Sequence, residues 1–524
     1  MTTPAPIMNT PVSAPRKGFF RPTIVNGQPP EDGAPVPGTE KKRKLKGSGE
    51  LHPAARWALQ RLAQDPLAVD FGGLDRDGDP VLYRWTGHFW HAQPVLDLAA
   101  EALTWLAVNA PKKATSGSGR EAASTLVDFA RLRGAPLPQW PVERGTVIGT
   151  RSHDLVLARD GTMRATAHAA EHGATALIQA DVDAAQIGPD GTYTPCEAQE
   201  GSVWRRYIEQ TLPDPEVRAL AQEALGSTLL DTTLEKILVL AGPGENGKSV
   251  FVHCCTALHG QSHVALSMRD LSAQFGLEVL VGKTLATITE AESHLSDAGM
   301  QTLKALASRD PMRADRKYAR ALTFVPKATL LLSLNNPLSY KDQSHGALRR
   351  WLTIPFTRRV PEHEKIPDFH RLITQHPAEM RALLDWALAG AQRLIQRGRK
   401  LPPEPGVMRQ MREQQRADTD AIYAWVRDCE VAAGAGSWIL KPAVYAAFRA
   451  HAAAAGHTGI HAEPAFWRRV RAIIEERGAV LSEGRVRIAH GERPRVVALQ
   501  VAGIPPAVLG PPWGPAVEPD GNPA

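Results

Sequence analysis

The segment Gly242-Pro243-Gly244-Glu245-Asn246-Gly247-Lys248-Ser249 fits the phosphate-binding pattern G-x-x-x-x-G-K-[ST]. An apolar run at 236–241 precedes it and predicts a buried strand, and residues 249–258 follow and predict a helix. The glycines let backbone N–H groups surround a phosphate at the start of that helix. There Lys248 neutralises the β- and γ-oxygens and the Ser249 hydroxyl completes a Mg²⁺ shell. The sequence therefore predicts a nucleoside triphosphate site formed by residues 242–249 with Val250.

Such a loop alone does not name the reaction, because small-molecule kinases, GTPases and motor ATPases share it. The next informative segment is a β-branched strand predicted at 284–289, which ends in Glu290 and Glu292. The two carboxylates lie on one face if the chain stays extended there. One carboxylate would then hold the Mg²⁺ shell and polarise the attacking water. Exposed acids at a strand end are the alternative interpretation.

Two later segments supply groups that hydrolysis also needs. The apolar strand predicted at 328–334 ends at Asn335, an amide that either orients the attacking water or forms a turn before Pro337. Arg349 and Arg350 then lead into another predicted strand. Their planar guanidinium groups suit the charge of a phosphoryl transition state, so we expect an arginine finger rather than a surface pair. The order and spacing of all these segments favour a hydrolytic site.

Composition limits the class of protein. The 524 residues are 43% hydrophobic and 22% charged, as in soluble globular proteins with three or four domains. The net charge of +6 suits a polyanionic partner such as nucleic acid. Four cysteines without C-x-x-C spacing indicate neither a disulfide framework nor a zinc site. Together with the lack of a signal pattern or bilayer-length apolar run, this predicts a protein of a reducing cytoplasm without a membrane partner.

The chain divides into five predicted parts. Residues 1–52 and 504–524 are expected to be disordered tails, the first of them basic, and 53–205 a mixed N-terminal domain containing a hairpin at 81–91. Alternating strands and helices at 206–400 predict an α/β parallel sheet. Residues 415–503 predict a winged helix, with helices at 442–448 and 463–475 and strands at 479–481, 485–488 and 495–500. Its recognition helix would expose Arg468, Arg469 and Arg471 to DNA, and protein binding, which is common among winged helices, is the alternative.

The linked motifs resemble those of superfamily 3 helicases, specifically the helicase part of phage and plasmid primase-helicases related to the poxvirus replication ATPase. The resemblance runs from about residue 213 to residue 356. It covers Leu225-Gly226, 240–249, Thr289-Glu290, 304–306, Arg309-Asp310, 316–318, Asn335, Asp342 and 349–351. Residues 53–205 resemble the family's helicase-associated domain. No zinc or paired acidic motif for primer synthesis precedes it, so the resemblance does not extend to primase activity.

The resemblance implies an AAA+-like P-loop ATPase core that assembles into a homo-oligomeric ring, usually a hexamer, with ATP and Mg²⁺ as cofactors. It implies that Asn335 is the sensor, that Glu290 with Glu292 forms the metal and water site, and that Arg350 or Arg349 is the finger. The family's channel hairpin coincides with Arg313, Arg316 and Lys317, which we expect to contact DNA phosphates without reading sequence. A solvated basic loop is the alternative interpretation.

We therefore expect an ATP-dependent DNA helicase of a phage, prophage or plasmid replication module, located in the cytoplasm of the bacterial host. It would move along single-stranded DNA in the 3′-to-5′ direction and act on forked DNA, with a separate primase or replication initiator as a further partner. The alternative is a replication-initiator or origin-binding protein that uses ATP to assemble rather than to unwind. A small-molecule P-loop kinase is disfavoured, because it needs neither the arginine pair nor the C-terminal domain.

Overall fold

The structure is a computed structural model. It describes residues 51–64, 67–74, 80–133, 136–196, 201–289, 295–315, 321–335, 349–457, 462–485, 494–502 and 518–519. Nearly all of the two predicted tails lies outside these residues, as do Glu290, Glu292, Arg316 and Lys317.

The N-terminal part combines three helices with a small antiparallel sheet. Helix α1 (Pro53–Gln64) is followed by strands β1 (Leu67–Leu74), β2 (Pro80–Trp85) and β3 (Trp90–Gln93) and by helices α2 (Val95–Asn109) and α3 (Ser116–Arg133). The predicted hairpin is present as β2 and β3, and β1, which the sequence did not predict, pairs with β2. Buried apolar side chains of α1, α2 and α3 form one core, which includes Trp57, Leu98 and Leu126.

A second antiparallel sheet links this part to the rest of the chain. It contains β4 (Thr146–Gly149), β5 (Asp154–Leu157) and β6 (Met163–Thr166). Its side chains Leu155 and Met163 belong to the same hydrophobic core as Trp204 and Leu388 further along. The segment after β6 adds a polar link, since the buried Tyr193 hydroxyl donates a hydrogen bond to Asp385. Residues on either side of the predicted boundary at 205 therefore share one core.

A five-stranded parallel sheet forms the centre of the larger part. Its strands are β7 (Ile237–Ala241), β8 (His263–Ala265), β9 (Leu285–Ile288), β12 (Thr329–Leu334) and β13 (Trp351–Pro355), and their spatial order is β13-β7-β12-β9-β8. All residues of β7 and β9 are buried, because helices cover both faces of a parallel sheet. The predicted parallel sheet is confirmed.

Helices α4 (Val203–Thr211) and α5 (Pro215–Ser227) precede β7, and α6 (Lys248–His259) and α7 (Asp297–Ser308) lie between sheet strands. Strands β10 (Met312–Ala314) and β11 (Leu322–Phe324) pair antiparallel between α7 and β12. Helices α8 (His370–Thr374), α9 (Pro377–Gln396) and α10 (Gly406–Thr419) follow β13.

Helices α5 and α9 pack closely through two glycines. A Cβ atom on Gly226 would lie 2.3 Å from the Ala391 nitrogen, and one on Gly390 would lie 2.2 Å from the Gln222 carbonyl oxygen. The same helices are joined by the buried Glu223 carboxylate, which accepts hydrogen bonds from arginines of α9 and its C-terminal end. Any larger side chain at either glycine would force the two helices apart.

The C-terminal part has a core of its own. Helix α11 (Ala421–Asp428), strand β14 (Ala432–Leu440), helices α12 (Lys441–Ala454) and α13 (Glu463–Glu476) and strands β15 (Glu483–Arg485) and β16 (Arg495–Gln500) follow in order. Strand β17 (Glu518–Pro519) pairs with β15. Trp467, Val470 and Ile474 are buried, as predicted.

Two details of the predicted C-terminal strands were wrong. Residues 479–481 form no strand, and the hairpin begins at Glu483 instead. The sequence also did not predict β14, which pairs with β16. Three consecutive alanine and glycine residues at 432–434 give this strand little of the β-branched pattern that identifies strands. Within the described residues, no helix is both long and apolar enough to cross a membrane.

Candidate functional site

The candidate site is the loop at 242–247, which connects the carboxyl end of β7 to the first turn of α6. Gly247 caps α6 with φ 88°, and a Cβ atom there would lie 2.7 Å from a methyl carbon of Thr211. A Cβ atom on Gly242 would lie 2.1 Å from the Phe356 carbonyl oxygen. Only glycine allows these close approaches and, at 247, this backbone conformation. These close contacts explain why the phosphate-binding pattern has glycine at both 242 and 247.

Lys248 lies at the centre of the loop, with 4% of its surface exposed. Its Nζ donates hydrogen bonds to the carbonyl oxygens of Gly242 (2.7 Å) and Pro243 (3.2 Å) and to Asn246 Oδ1 (3.1 Å). Burial lowers the pKa of Lys248. A buried ammonium surrounded by loop atoms, beside the positive end of the α6 dipole, forms a cradle that favours an anion.

Two contacts that the sequence pattern does not contain hold this loop in place. Asn246 Nδ2 donates a 2.8 Å hydrogen bond to the Phe356 carbonyl oxygen at the end of β13. The Tyr207 hydroxyl, on α4, donates a 2.9 Å hydrogen bond to the Gly247 carbonyl oxygen. Burial raises the pKa of Tyr207 well above its ordinary value, so this hydroxyl remains a donor at neutral pH. Because these partners lie 110 and 40 residues away along the chain, no local motif reveals them.

The first turn of α6 carries Ser249 and Val250. Ser249 is exposed, and its carbonyl oxygen lies 2.6 Å from His253 Nδ1 one turn later. The amide N–H groups of a helix's first turn lack partners within the helix and point toward its N-terminal end. Here that end faces the loop, so the predicted ligand residues 242–250 are brought together.

The predicted sensor lies beside the loop. Strands β7 and β12 are parallel neighbours with Ala241 opposite Leu334, and the Gly242 N–H donates to the Leu334 carbonyl oxygen at 3.4 Å. Asn335 is the next residue and is exposed. Strand β9 ends at the same edge, because Ile288 pairs with Leu332. The predicted carboxylates Glu290 and Glu292 follow that strand but lie outside the described residues.

The predicted finger arginines lie at the opposite edge of the sheet. Arg350 precedes β13, and its carbonyl oxygen accepts a 2.7 Å hydrogen bond from the N–H of Ile237, the first residue of β7. Its Nη2 donates to the Ser308 hydroxyl at 3.0 Å. Arg349 is about half exposed and lies 3.5 Å from Glu235. Neither guanidinium is therefore near the phosphate loop of its own chain.

The predicted DNA-contacting residues fall in two places. Arg313 lies in β10, is exposed and forms an ion pair with Asp315 at 3.3 Å. Strands β10 and β11 pair antiparallel, with Ala314 opposite Leu322. Arg316 and Lys317 fall between these two strands in the sequence and lie outside the described residues.

The three arginines of α13 differ in their surroundings. Arg469 is only 17% exposed and forms an ion pair with Asp420 at 2.6 Å. Arg471 contacts Glu483 of β15 at 2.6 Å, and Arg468 is exposed. An arginine engaged by an internal carboxylate has less charge to offer a phosphate, so Arg468 is the best placed of the three to contact DNA. Within the described residues, no group of three or more histidine, cysteine, aspartate or glutamate side chains could hold a metal ion.

Together, the fold and the site define a mixed α/β protein whose five-stranded parallel sheet is consistent with a P-loop core. A family of unknown function, DUF5906, matches residues 240–350, a segment that runs from the phosphate loop to the arginine pair.

The solved structures to which the chain is similar include three of the C-terminal region of NrS-1. The apo structure of residues 305–718 is 10% identical, covers 86% of this chain and 100% of that chain, and has a TM-score of 0.44. An A-form apo structure is 11% identical, with 85% and 99% coverage and a TM-score of 0.42. A further A form of residues 305–718 is 9% identical, with 86% and 99% coverage and a TM-score of 0.44.

Proposed function

We propose that the chain is an ATP-dependent DNA helicase that acts as a ring of identical subunits in a phage, prophage or plasmid replication module. The observation that carries this proposal is the position of two cationic groups on one sheet. Lys248 lies at the carboxyl edge in the phosphate loop, whereas Arg349 and Arg350 lie at the amino edge. A ring that places one subunit's amino edge against the next subunit's loop gives both groups a role at one ATP.

Within one subunit, the chain's own residues bind and orient the nucleotide. Lys248 and the α6 N-terminus hold the β- and γ-phosphates, and Ser249 with Glu290 are the proposed Mg²⁺ ligands. When bound, Mg²⁺ neutralises charge on those phosphates. Glu290 or Glu292 accepts the proton of the attacking water, and Asn335 orients that water.

The DNA contacts are proposed on two elements. The hairpin of β10 and β11 presents Arg313, Arg316 and Lys317 to the phosphates of single-stranded DNA in the ring channel. The order helix, strand, two helices and hairpin at 421–500 supports the winged-helix assignment of the C-terminal part, with Arg468 on its exposed face.

A strand-displacement assay on forked DNA with ATP and Mg²⁺ tests this function. The wild type should release the displaced strand, and chelation of Mg²⁺ should stop it. Lys248→Ala should abolish ATP hydrolysis while the fold survives, and the exposed Lys400→Ala serves as the matched control. Glu290→Gln should bind ATP but turn over slowly; a normal rate for this variant alone would make Glu292 the base.

The outcomes also separate the alternatives. Normal turnover by both Lys248→Ala and Glu290→Gln would refute the active-site assignment. ATP-dependent assembly on DNA without strand displacement would favour a replication initiator.

A further inference from the structure

The tip of the phosphate loop is held by the segment that follows β13. Glu245 occupies the tip with a left-handed backbone (φ 63°), which is uncommon for a glutamate. Its carbonyl oxygen accepts a 2.8 Å hydrogen bond from the Val360 N–H. This contact brings residues 357–365 over the loop, although they lie more than a hundred positions later in the chain.

Two cations of that segment bind the Glu245 carboxylate. Arg359 donates to Oε2 through Nε at 3.0 Å and Nη2 at 2.7 Å, and Lys365 Nζ donates to Oε1 at 2.7 Å. Both carboxylate oxygens are thus engaged. The hydrogen bonds from Lys365 and Arg359 hold the pKa of Glu245 below its ordinary value, and Glu245 in turn raises the pKa of Lys365. The carboxylate of Glu245 and the ammonium of Lys365 are therefore charged at neutral pH.

The carboxylate occupies a place where phosphate oxygens would compete for the same cations. Glu245 is adjacent to Asn246, whose Oδ1 accepts from the Lys248 ammonium at the centre of the loop. A guanidinium binds carboxylate and phosphate with the same forked geometry, and a triphosphate carries several negative charges where Glu245 carries one.

The solvent exposure of Arg359 and Glu245 also allows these side chains to exchange one partner for another. The side chain of Arg359 is 77% exposed and that of Glu245 is 43% exposed, so water can replace either partner as the other moves. Exposed ion pairs of this kind contribute little stability and open readily.

We propose that Arg359 and Lys365, which pair with Glu245, are nucleotide-binding residues that transfer from Glu245 to the terminal phosphates of ATP. This inference rests on the proposed nucleotide site. It adds Arg359 and Lys365, which are not part of the phosphate-binding sequence pattern at 242–249. Glu245 then competes with ATP for the two cations. Its removal should strengthen ATP binding, whereas removal of Arg359 should weaken it.

The experiment compares equilibrium binding of ATP and ADP by calorimetry to the full chain and its variants. Arg359→Ala should weaken ATP binding about tenfold, as expected when a charge-assisted hydrogen bond is lost. ADP binding should change less, because ADP lacks the γ-phosphate. Glu245→Ala should tighten ATP binding. Arg358→Ala is the matched control, because that arginine pairs with Glu364 in the same segment.

If the contact between Glu245 and Arg359 only stabilises the shape of the loop, a different result is expected. Glu245→Ala and Arg359→Ala break the same contact, so both would then weaken binding together. The proposal is overturned unless Glu245→Ala and Arg359→Ala shift the ATP affinity in opposite directions. If Arg359→Ala fails to fold, Arg359→Gln repeats the test. If the proposal fails in this way, but the wild type binds ATP and Lys248→Ala does not, the proposed nucleotide site still stands. Wild-type protein that does not bind ATP overturns both.

Discussion

Alanine at Arg350 is expected to abolish ATP hydrolysis, although the residue lies far from its own phosphate loop. The Arg350 carbonyl oxygen is bonded to the N–H of Ile237 at the start of β7, and the loop begins after Ala241, the fifth residue of that strand. At about 3.3 Å per strand residue, the backbone of Arg350 and the start of the loop at Gly242 are about 16 Å apart along the sheet. One arginine side chain does not span this distance, so an Arg350 that takes part in hydrolysis is expected to act on the ATP of a neighbouring subunit.

Mixing two inactive variants measures this action. Arg350→Ala lacks the proposed finger but keeps Lys248, whereas Lys248→Ala lacks the proposed phosphate-binding ammonium but keeps Arg350. In rings assembled at random from equal amounts, about a quarter of the interfaces combine an intact loop with an intact finger. If interfaces act independently, the mixture should hydrolyse ATP at about a quarter of the wild-type rate.

The assay follows phosphate release in the presence of forked DNA over a series of mixing ratios, and activity should peak near equal amounts. Mixed rings that sediment as oligomers yet stay inactive would refute action between subunits. The same series with Arg349→Ala shows which arginine is the finger. If neither arginine affects hydrolysis and the chain stays monomeric with ATP and DNA, the small-molecule kinase interpretation must be reconsidered.

Three further changes test the core, a buried acid and the DNA contact. Gly390→Ala should lower the free energy of unfolding by about 1–3 kcal/mol, since its Cβ would overlap a carbonyl oxygen of α5. In the same urea titration Gly117→Ala, whose nearest neighbouring atom would be 3.8 Å away, should change little. Burial raises the pKa of Asp385 from 3.8 to about 6, so its contribution to stability is present below about pH 4 and is lost as the pH rises through 6. Relative to Asp385→Asn, the wild type should lose up to about 3 kcal/mol between pH 4 and pH 7 in urea titrations, and a pH-independent difference would contradict this. Arg316→Ala combined with Lys317→Ala should weaken single-stranded DNA binding for all sequences and flatten its salt dependence, while ATP binding persists. Unchanged DNA affinity and salt dependence in titrations would remove this loop from the channel.

The parallel sheet was predictable because its signals are local. Four of its strands are short apolar runs, and residues 242–249 mark the junction between β7 and α6. Strand β8 at 263–265 is a three-residue edge strand without such a run, and the sequence did not predict it. Strand β14 escaped prediction for a similar reason, because alanines and glycines give no clear strand pattern.

The sequence by itself determined the strand, loop and helix around residues 242–249 and predicted the phosphate chemistry proposed there, since glycine, lysine and serine at fixed spacing need only a strand before them and a helix after them. Only the tertiary structure decided which distant residues complete that site. Tyr207, Phe356 and Arg359 reach the loop because α4 and the end of β13 pack beside it. It also decided that Arg469, predicted to face DNA, instead pairs with Asp420. The physical reason is that a hydrogen bond or ion pair depends on a few ångströms of space, whereas separation along the chain says little about distance once the chain is folded.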